Sequence, residues 1–266
     1  MARSFDPAGG ADSITFAAPA SVPPDQGPIT IAVLAQAADT IGWTGWMVRG
    51  LKSGTPILGF LTSNNAGPKL FAENDFGSGV TGRSTSYRWY VMTKAGGSAL
   101  PRIHVGDPTG TPSWAHTNND FNVGDGSGPI DTLIVGGTGG GSNGWRGPIM
   151  VAAMVDEAWT DGQIEARCTM AALDLFTPVS AATKKWMVRL NQASTATAVT
   201  DDTGGGGDQT AISGTTVVSD LAGFDYSITG PTGPAATLWN GSSEVPVTVA
   251  LYNGSSEVPV TLEVSP

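Results

Sequence analysis

The residues best suited to recognise a ligand lie in one polar segment, residues 107–120, which is rich in turn-forming types. Trp114 offers a flat aromatic face that can stack on a sugar ring, and His116 offers ring nitrogens for hydrogen bonds. Long polar loops often carry binding function, so we interpret this segment as a glycan-binding loop. The alternative is that Trp114 folds back and covers the sheet. The predicted glycan-binding residues are Trp114, His116, Asn118, Asn119, Asp120 and, from a separate segment, Trp43.

The same sequence argues against an enzyme. The two histidines, His104 and His116, do not lie in a recognisable nucleophile–histidine–carboxylate motif. A glycoside hydrolase needs two carboxylates that flank one bond, and we interpret Glu73 with Asp75 as a solvated strand end instead. Residues 139–144 fit the pattern G-x-G-x-x-G, but the chain that follows predicts a strand and not the helix that would hold a pyrophosphate. We therefore expect a non-enzymatic protein.

Charge and cysteine content exclude further classes. The chain has 13 Lys and Arg against 23 Asp and Glu, a net charge of −10, which argues against nucleic-acid binding because a phosphate backbone needs a basic surface. Cys168 is the single cysteine, so neither an intrachain disulfide nor a multi-thiolate metal site is possible. We interpret Cys168 as a buried apolar side chain.

No segment predicts export or membrane insertion. The apolar stretches 29–38 and 149–155 are shorter than the roughly 18 residues that a membrane span requires. The first residues are polar and lack the apolar region of a signal peptide. We expect a protein that is made in a cytoplasm and is not inserted into a membrane.

Composition and patterning predict an all-β protein. The 37 Gly and 18 Pro among 266 residues exceed the usual share, which is about 12% for the two together. A capping box at Thr160 and Gln163 predicts one helix over residues 161–172. Short apolar segments bounded by turn residues predict strands, at residues 13–17, 28–37, 45–51, 57–62, 68–73, 86–93, 102–105, 132–136, 147–155, 185–190 and 215–218.

The C-terminus contains a tandem repeat of 13 residues, 238–250 followed by 251–263. Each copy contains Asn-Gly, which favours a tight hairpin turn, and then alternates apolar and polar residues. We predict a three-stranded β-meander that is too small to bury its own apolar face. It should therefore anchor the chain or form a homo-oligomer, with a trimer favoured, through Trp239, Val245, Pro246, Val247, Tyr252, Val258 and Val260.

The order of these segments resembles a known family. The resemblance is found in residues 11–16, 29–33, 87–91, 133–136 and 145–149, the last with its continuation to residue 164. Together they resemble the laminin-G-like branch of the concanavalin-like jelly rolls over about residues 11–176. The resemblance implies a jelly-roll sandwich with one short helix. We assign it to a domain of residues 1–228, where 177–228 add strands, and the tandem repeats predict a C-terminal β-repeat appendage at 229–266. The resemblance also implies a rim calcium ion, for which we name Asp107, Asp120 and Asp125.

The "NGSSEVPVT" repeats and the segment around residues 201–216 are similar to the tails of minor structural proteins in bacteriophages that infect actinobacteria. This resemblance implies a virion protein of the tail tip or fibre, with other virion proteins as partners and a host-surface glycan as ligand. Two alternatives stay open. One is a capsid decoration protein, and the other is a carbohydrate-active enzyme or secreted carbohydrate-binding module.

Overall fold

The structure is a computed structural model of the chain. It describes residues 1–6, 12–17, 27–38, 45–63, 67–72, 75–76, 84–96, 99–109, 114–118, 130–137, 145–175, 185–203, 207–227, 236–239, 244–247, 252–253 and 256–257. These residues fall into two compact units, Met1–Tyr226 and Ser227–Pro266.

Strands dominate the described residues. In chain order they are β1 (Ala2–Phe5), β2 (Ser13–Ala17), β3 (Ile29–Ala35), β4 (Gly45–Lys52), β5 (Thr55–Ser63), β6 (Gly67–Ala72), β7 (Asp75–Phe76), β8 (Arg88–Lys94), β9 (Arg102–Gly106), β10 (Ala115–Asn118), β11 (Thr132–Gly136), β12 (Gly147–Val155), β13 (Lys185–Arg189), β14 (Gln209–Ser213), β15 (Thr216–Val218), β16 (Ala236–Trp239), β17 (Glu244–Val247), β18 (Tyr252–Asn253) and β19 (Ser256–Glu257). One α-helix, α1 (Asp161–Arg167), and one 3-10 helix (Ala172–Leu175) accompany them.

The strands of the first unit form two antiparallel sheets. The larger sheet has the order β10-β9-β8-β3-β12-β1-β15, and β13 pairs with β12 as well. The smaller sheet has the order β14-β2-β11-β4-β5-β6-β7. The predicted all-β sandwich with one short helix is thus confirmed.

The core lies between the two sheets. Phe16 on the smaller sheet meets Trp186 on the larger one edge to face, with ring centroids 5.3 Å apart. The larger sheet is also covered on its outer face. Trp89 alternates with the core residue Tyr90 and donates a hydrogen bond from Nε1 to the carbonyl of Thr169, 2.8 Å away, just beyond α1. The chain around α1 therefore packs on the outer face of this sheet.

Helix α1 begins as predicted and ends early. The Thr160 side chain accepts from the backbone of Gln163, whose own side chain accepts from the backbone of Thr160, so the capping box is confirmed. The prediction that the helix runs to residue 172 is wrong, because its last residue is Arg167. Beyond that point the backbone bonds to Asp225, which donates to Met170 and accepts from Ala172. Hydrogen bonds from a remote segment replace those that would have continued the helix.

Several strands were not predicted. Residues 107–120 were expected to form a loop, but 115–118 form β10 and pair with β9. The edge strand β10 has the sequence AHTN, which lacks the alternating apolar residues that would reveal a strand. Strands β1 and β14 were also missed, and each joins one of the two sheets of the sandwich.

The second unit contains two short hairpins. Strands β16 and β17 pair with Trp239 opposite Glu244, and β18 pairs with β19 with Tyr252 opposite Glu257. Tyr252 and Glu257 lie 13 residues after Trp239 and Glu244, so the described strands of the two tandem copies pair in the same register. Most of the third strand of the predicted meander lies outside the described residues. Among the described helices of the chain, none is long and apolar enough to span a membrane.

Candidate functional site

Two histidines face each other at the edge of the larger sheet. His104 lies on β9 and His116 on the edge strand β10, and the antiparallel register places them directly opposite each other. Side chains in such a position have Cβ atoms about 4.5–5.5 Å apart, so their rings meet. The ring centroids are 4.9 Å apart, and the two Nδ1 atoms are 2.6 Å apart. The pairing of these two strands builds the centre of the site.

The two rings differ in exposure. Ile103 and Val105, which flank His104 in sequence, pack in or against the core, so His104 points to the outer face of the sheet. It is nevertheless completely buried, whereas the His116 side chain keeps 17% of its surface exposed. Burial, and after it the neighbouring His116, lowers the pKa of His104 to about 3. The His104 imidazole is therefore neutral at physiological pH.

A carboxylate from α1 completes the cluster. Asp161 is the first residue of the helix, and its Oδ1 atom lies 3.7 Å from the Nδ1 atom of each histidine. Its other oxygen, Oδ2, accepts a hydrogen bond of 3.0 Å from Arg102. The Oδ1 atom is buried and has no hydrogen-bond partner among the described residues. Leaving a buried carboxylate oxygen without a hydrogen-bond donor costs free energy, and a ligand bound to Oδ1 would remove this cost.

The outer nitrogens of both rings are also engaged. Nε2 of His104 lies 3.1 Å from the hydroxyl of Thr93, and Nε2 of His116 lies 3.2 Å from a carboxylate oxygen of Glu165. Glu165 is four residues after Asp161 on α1, so both carboxylates lie on the same side of the helix. These contacts hold the rings so that both Nδ1 atoms point to the centre of the cluster.

A cavity of about 470 Å³ adjoins this cluster. It shares Thr93, Arg102 and Asp161 with the cluster, and Leu100 and Trp159 contribute apolar surface to it. Leu100 is half-exposed, one of the few large hydrophobic side chains at the described surface. The cavity thus combines charged and hydroxyl groups with apolar surface, as binding sites for small polar ligands do.

Trp114 lies flat on the sheet next to the cluster. A Cβ atom built on Gly106 would fall 2.3 Å from the indole, so the ring rests directly on the glycine backbone. The indole is also stacked with His116, at 6.1 Å between centroids and 11° between planes. Trp114 is half-buried, and its Nε1 atom is buried with no hydrogen-bond partner among the described residues. The indole therefore covers part of the sheet while keeping some of its surface exposed.

The structure brings some of the predicted glycan-binding residues together. Trp114, the residue before β10, stacks with His116 on β10, and Asn118 is the last residue of that strand. Asn119, Asp120 and Trp43 lie outside the described residues. Four further residues of the site were not predicted from the sequence: His104, Arg102, Asp161 and Glu165. Recognition of β10 as a strand would have revealed the cluster, because a hairpin between β9 and β10 places the two histidines opposite each other.

The predicted calcium ligands are described only in part. One oxygen of Asp107 accepts from the backbone and the hydroxyl of Thr109, and the other accepts from Arg88. Both oxygens of Asp107 thus accept hydrogen bonds from neighbouring residues. Asp120 and Asp125 lie outside the described residues. The calcium ion stays a prediction.

The predicted oligomerisation residues are likewise described in part. Trp239, Val245, Pro246, Val247 and Tyr252 lie on the strands of the two C-terminal hairpins, and Val258 and Val260 lie outside the described residues. Pro246 pairs with Thr237 in the β16–β17 hairpin. The role of these residues in association stays a prediction.

No protein-family model matches the chain, and no curated protein matches its sequence. Its structure is similar to that of a Bacteroides ovatus protein proposed to bind carbohydrate, with a TM-score of 0.54 and 13% identity over 86% of this chain and 61% of that one. A heptameric SAP-like pentraxin from Limulus polyphemus matches with a TM-score of 0.45 and 15% identity, over 64% of this chain and 82% of that one. At 13% identity the likeness to the Bacteroides ovatus protein shows the fold alone, a concanavalin-like jelly-roll sandwich.

Proposed function

We propose that this chain is a non-enzymatic structural protein of a bacteriophage virion, in the tail tip or a fibre, whose jelly-roll domain binds a glycan on the host surface. The observation that carries glycan binding is the half-buried indole of Trp114, seated on Gly106 beside the polar cluster of His116 and Asp161. A sugar ring has an apolar C–H face and a rim of hydroxyl groups. An aromatic face next to hydrogen-bonding side chains complements both.

The cavity beside Asp161 supports the same proposal. Arg102 and Thr160 offer hydrogen-bond donors there, and Leu100 offers an exposed apolar contact. The jelly-roll fold adds only a general argument, because one fold hosts many functions. The phage assignment rests on the C-terminal repeats and their resemblance to phage tail proteins. In this proposal the chain is made in the host cytoplasm and assembled with other virion proteins.

Glycan binding is tested with an array of bacterial cell-surface and cell-wall polysaccharides. We expect the full chain to retain at least one glycan, Trp114→Phe to keep the binding, and Trp114→Ala to weaken it about tenfold or more. The Phe variant is the matched control, because it preserves an aromatic face on Gly106. Equal binding by the wild type and the Ala variant would contradict the assignment of Trp114, and an array without any retained glycan would contradict the function.

We also propose that the C-terminal hairpins hold several copies of the chain together, as a virion fibre requires. A two-stranded hairpin is marginally stable in water by itself, so each hairpin needs a packing partner. Light scattering on the intact chain and on a chain that ends at Ser227 tests this. We expect a trimer for the first and a monomer for the second. A monomeric intact chain would contradict this role, and the double variant Trp239→Ala with Tyr252→Ala tests it without truncation.

A further inference from the structure

We propose that His104, His116 and Asp161 form a binding site for a divalent transition-metal ion of the zinc class. Three ligand atoms converge from three elements: Nδ1 of His104 on β9, Nδ1 of His116 on β10 and Oδ1 of Asp161 on α1. The nitrogens are 2.6 Å apart, and the oxygen is 3.7 Å from each of them. The site concerns metal binding alone and does not depend on a glycan.

The buried oxygen of Asp161 is the observation that carries this inference. Among the described residues, Oδ1 has no hydrogen-bond donor, although Oδ2 is held by Arg102 at 3.0 Å. The Nδ1 atoms of both histidines lie 3.7 Å from this oxygen, too far for a hydrogen bond, and they face each other at 2.6 Å. A cation at the centre of the triangle would satisfy all three atoms at once.

The partners of the outer nitrogens suit this arrangement. The Glu165 carboxylate accepts hydrogen bonds only, so it favours a proton on Nε2 of His116 and leaves Nδ1 free as a lone pair. The Thr93 hydroxyl can donate or accept, so His104 can carry its proton on either nitrogen. Metal-bound histidines usually donate their other N–H to a carboxylate or another acceptor in this way. Thr93 and Glu165 thus position the ligands for a metal ion.

The types of ligand atom select the class of ion. Two imidazole nitrogens with one carboxylate oxygen suit zinc and its neighbours in the first transition row, whereas calcium and magnesium prefer oxygen alone. At zinc–ligand distances of about 2.0–2.1 Å, a tetrahedral ion separates its ligand atoms by about 3.4 Å. The rings would therefore move apart by less than about 1 Å, and the carboxylate would move slightly inward. Three protein ligands leave a fourth position for water.

The charge around the cluster also favours a dication. The charged groups that face the histidines are Asp161 and Glu165 on α1 and Arg102 on β9. One cationic and two acidic side chains thus surround the two rings. A divalent ion would offset the excess of acidic groups and shield the two carboxylates from each other.

The experiment uses the full chain, purified without a histidine tag and treated with a chelator. Its two histidines are both in the proposed site and its only cysteine is buried, so few other strong ligands compete. Titration calorimetry with Zn²⁺ should give one site per chain with a dissociation constant below about 10 µM. Co²⁺ should give the visible absorption of a tetrahedral site, and Ca²⁺ should not compete.

His116→Gln and Asp161→Asn should each weaken Zn²⁺ binding at least about tenfold. The matched control is Asp131→Asn, a carboxylate that bonds to the backbone of Ser53 beside the other sheet and should leave the affinity unchanged. Nuclear magnetic resonance of the unmodified chain provides a measurement that needs no variant, because Zn²⁺ must shift the imidazole signals of both histidines together. Binding that survives His116→Gln, equal binding of Ca²⁺, or unshifted imidazole signals would overturn the proposal.

Discussion

At the residue scale, the absence of a side chain at Gly106 shapes the site as much as the presence of one at Trp114. The indole lies where a Cβ atom of residue 106 would be, so the flat contact between the ring and the strand exists only with glycine. Gly162 in α1 is different, since a Cβ atom there would meet nothing within 4 Å. Substitution by alanine should therefore change the stability of the protein in opposite directions at Gly106 and Gly162.

Gly106→Ala should destabilise the protein by about 1–3 kcal/mol, because the added methyl group forces the indole off the strand. Gly162→Ala is the control and should stabilise the protein by about 0.4–1 kcal/mol through better helix propensity. Denaturation in guanidinium chloride measures both. If Gly106→Ala unfolds at the same guanidinium chloride concentration as the wild type, the indole does not rest on residue 106.

The environment of Asp107 indicates that the stability of the folded protein depends on pH. Burial alone would raise its pKa, but hydrogen bonds from Thr109 and from Arg88, together with the Arg88 charge, hold the pKa below its usual value of 3.8. A depressed pKa stabilises the fold above the unfolded value, and this contribution is lost as the pH falls through the folded pKa. Asp107→Asn should therefore lower the melting temperature at pH 7 by a few degrees, and the difference should shrink as the pH falls below the usual pKa of 3.8. A difference that does not change with pH would contradict this account.

At the element scale, α1 is a short helix whose position depends on its first turn. The capping box of Thr160 and Gln163 satisfies two backbone donors just where Asp161 enters the histidine cluster. The sequence alone was sufficient to predict this start, because both halves of the motif are local. The end of the helix could not be predicted, since the competing hydrogen bonds come from Asp225, more than 50 residues away.

Thr160→Ala should destabilise the protein by about 1 kcal/mol, because it removes the side-chain oxygen that accepts from the Gln163 backbone. Thr160→Ser keeps that oxygen and should stay within about 0.5 kcal/mol of the wild type. Thermal unfolding followed by circular dichroism separates the three proteins. Equal loss in both variants would mean that the methyl group, and not the cap, stabilises this turn.

Strands could be predicted from the sequence where a local pattern of apolar residues marks them. Strands that form only through hydrogen bonds to a neighbouring strand could not. Three predicted strands, 13–17, 132–136 and 147–155, match the structure residue for residue, since apolar runs between turn residues mark them. Strand β10 is polar and is held by its hydrogen bonds to β9, so its sequence does not reveal it. The histidine cluster depends on that pairing. The chemistry of Trp114 and His116 was therefore visible in the sequence, but the partners of His116 were not.

At the scale of the whole molecule, the first unit is held together by the core between its sheets. Phe16 and Trp186 are both completely buried, and their contact joins a strand from each sheet. Phe16→Ala should therefore destabilise the unit by about 3–5 kcal/mol, through lost burial and the cavity left behind. Denaturant unfolding measures the loss. A loss below about 1 kcal/mol would mean that the sheets close the gap and that the core is more plastic than its packing indicates.

Strand β1 has its neighbours far away in the chain: β12 pairs with it on one side and β15 on the other. Arg3 on β1 is completely buried and donates to the carbonyls of Ser194 and Thr197. At a synthesis rate of about 5–20 residues per second, β1 leaves the ribosome about 10–40 s before β15 does. For most of that interval β12 has not been made, so the backbone of β1 has no native partner, and Arg3 has none until Ser194 and Thr197 have been made. The nascent chain must therefore keep its first strand from pairing wrongly until nearly the whole first unit has been made.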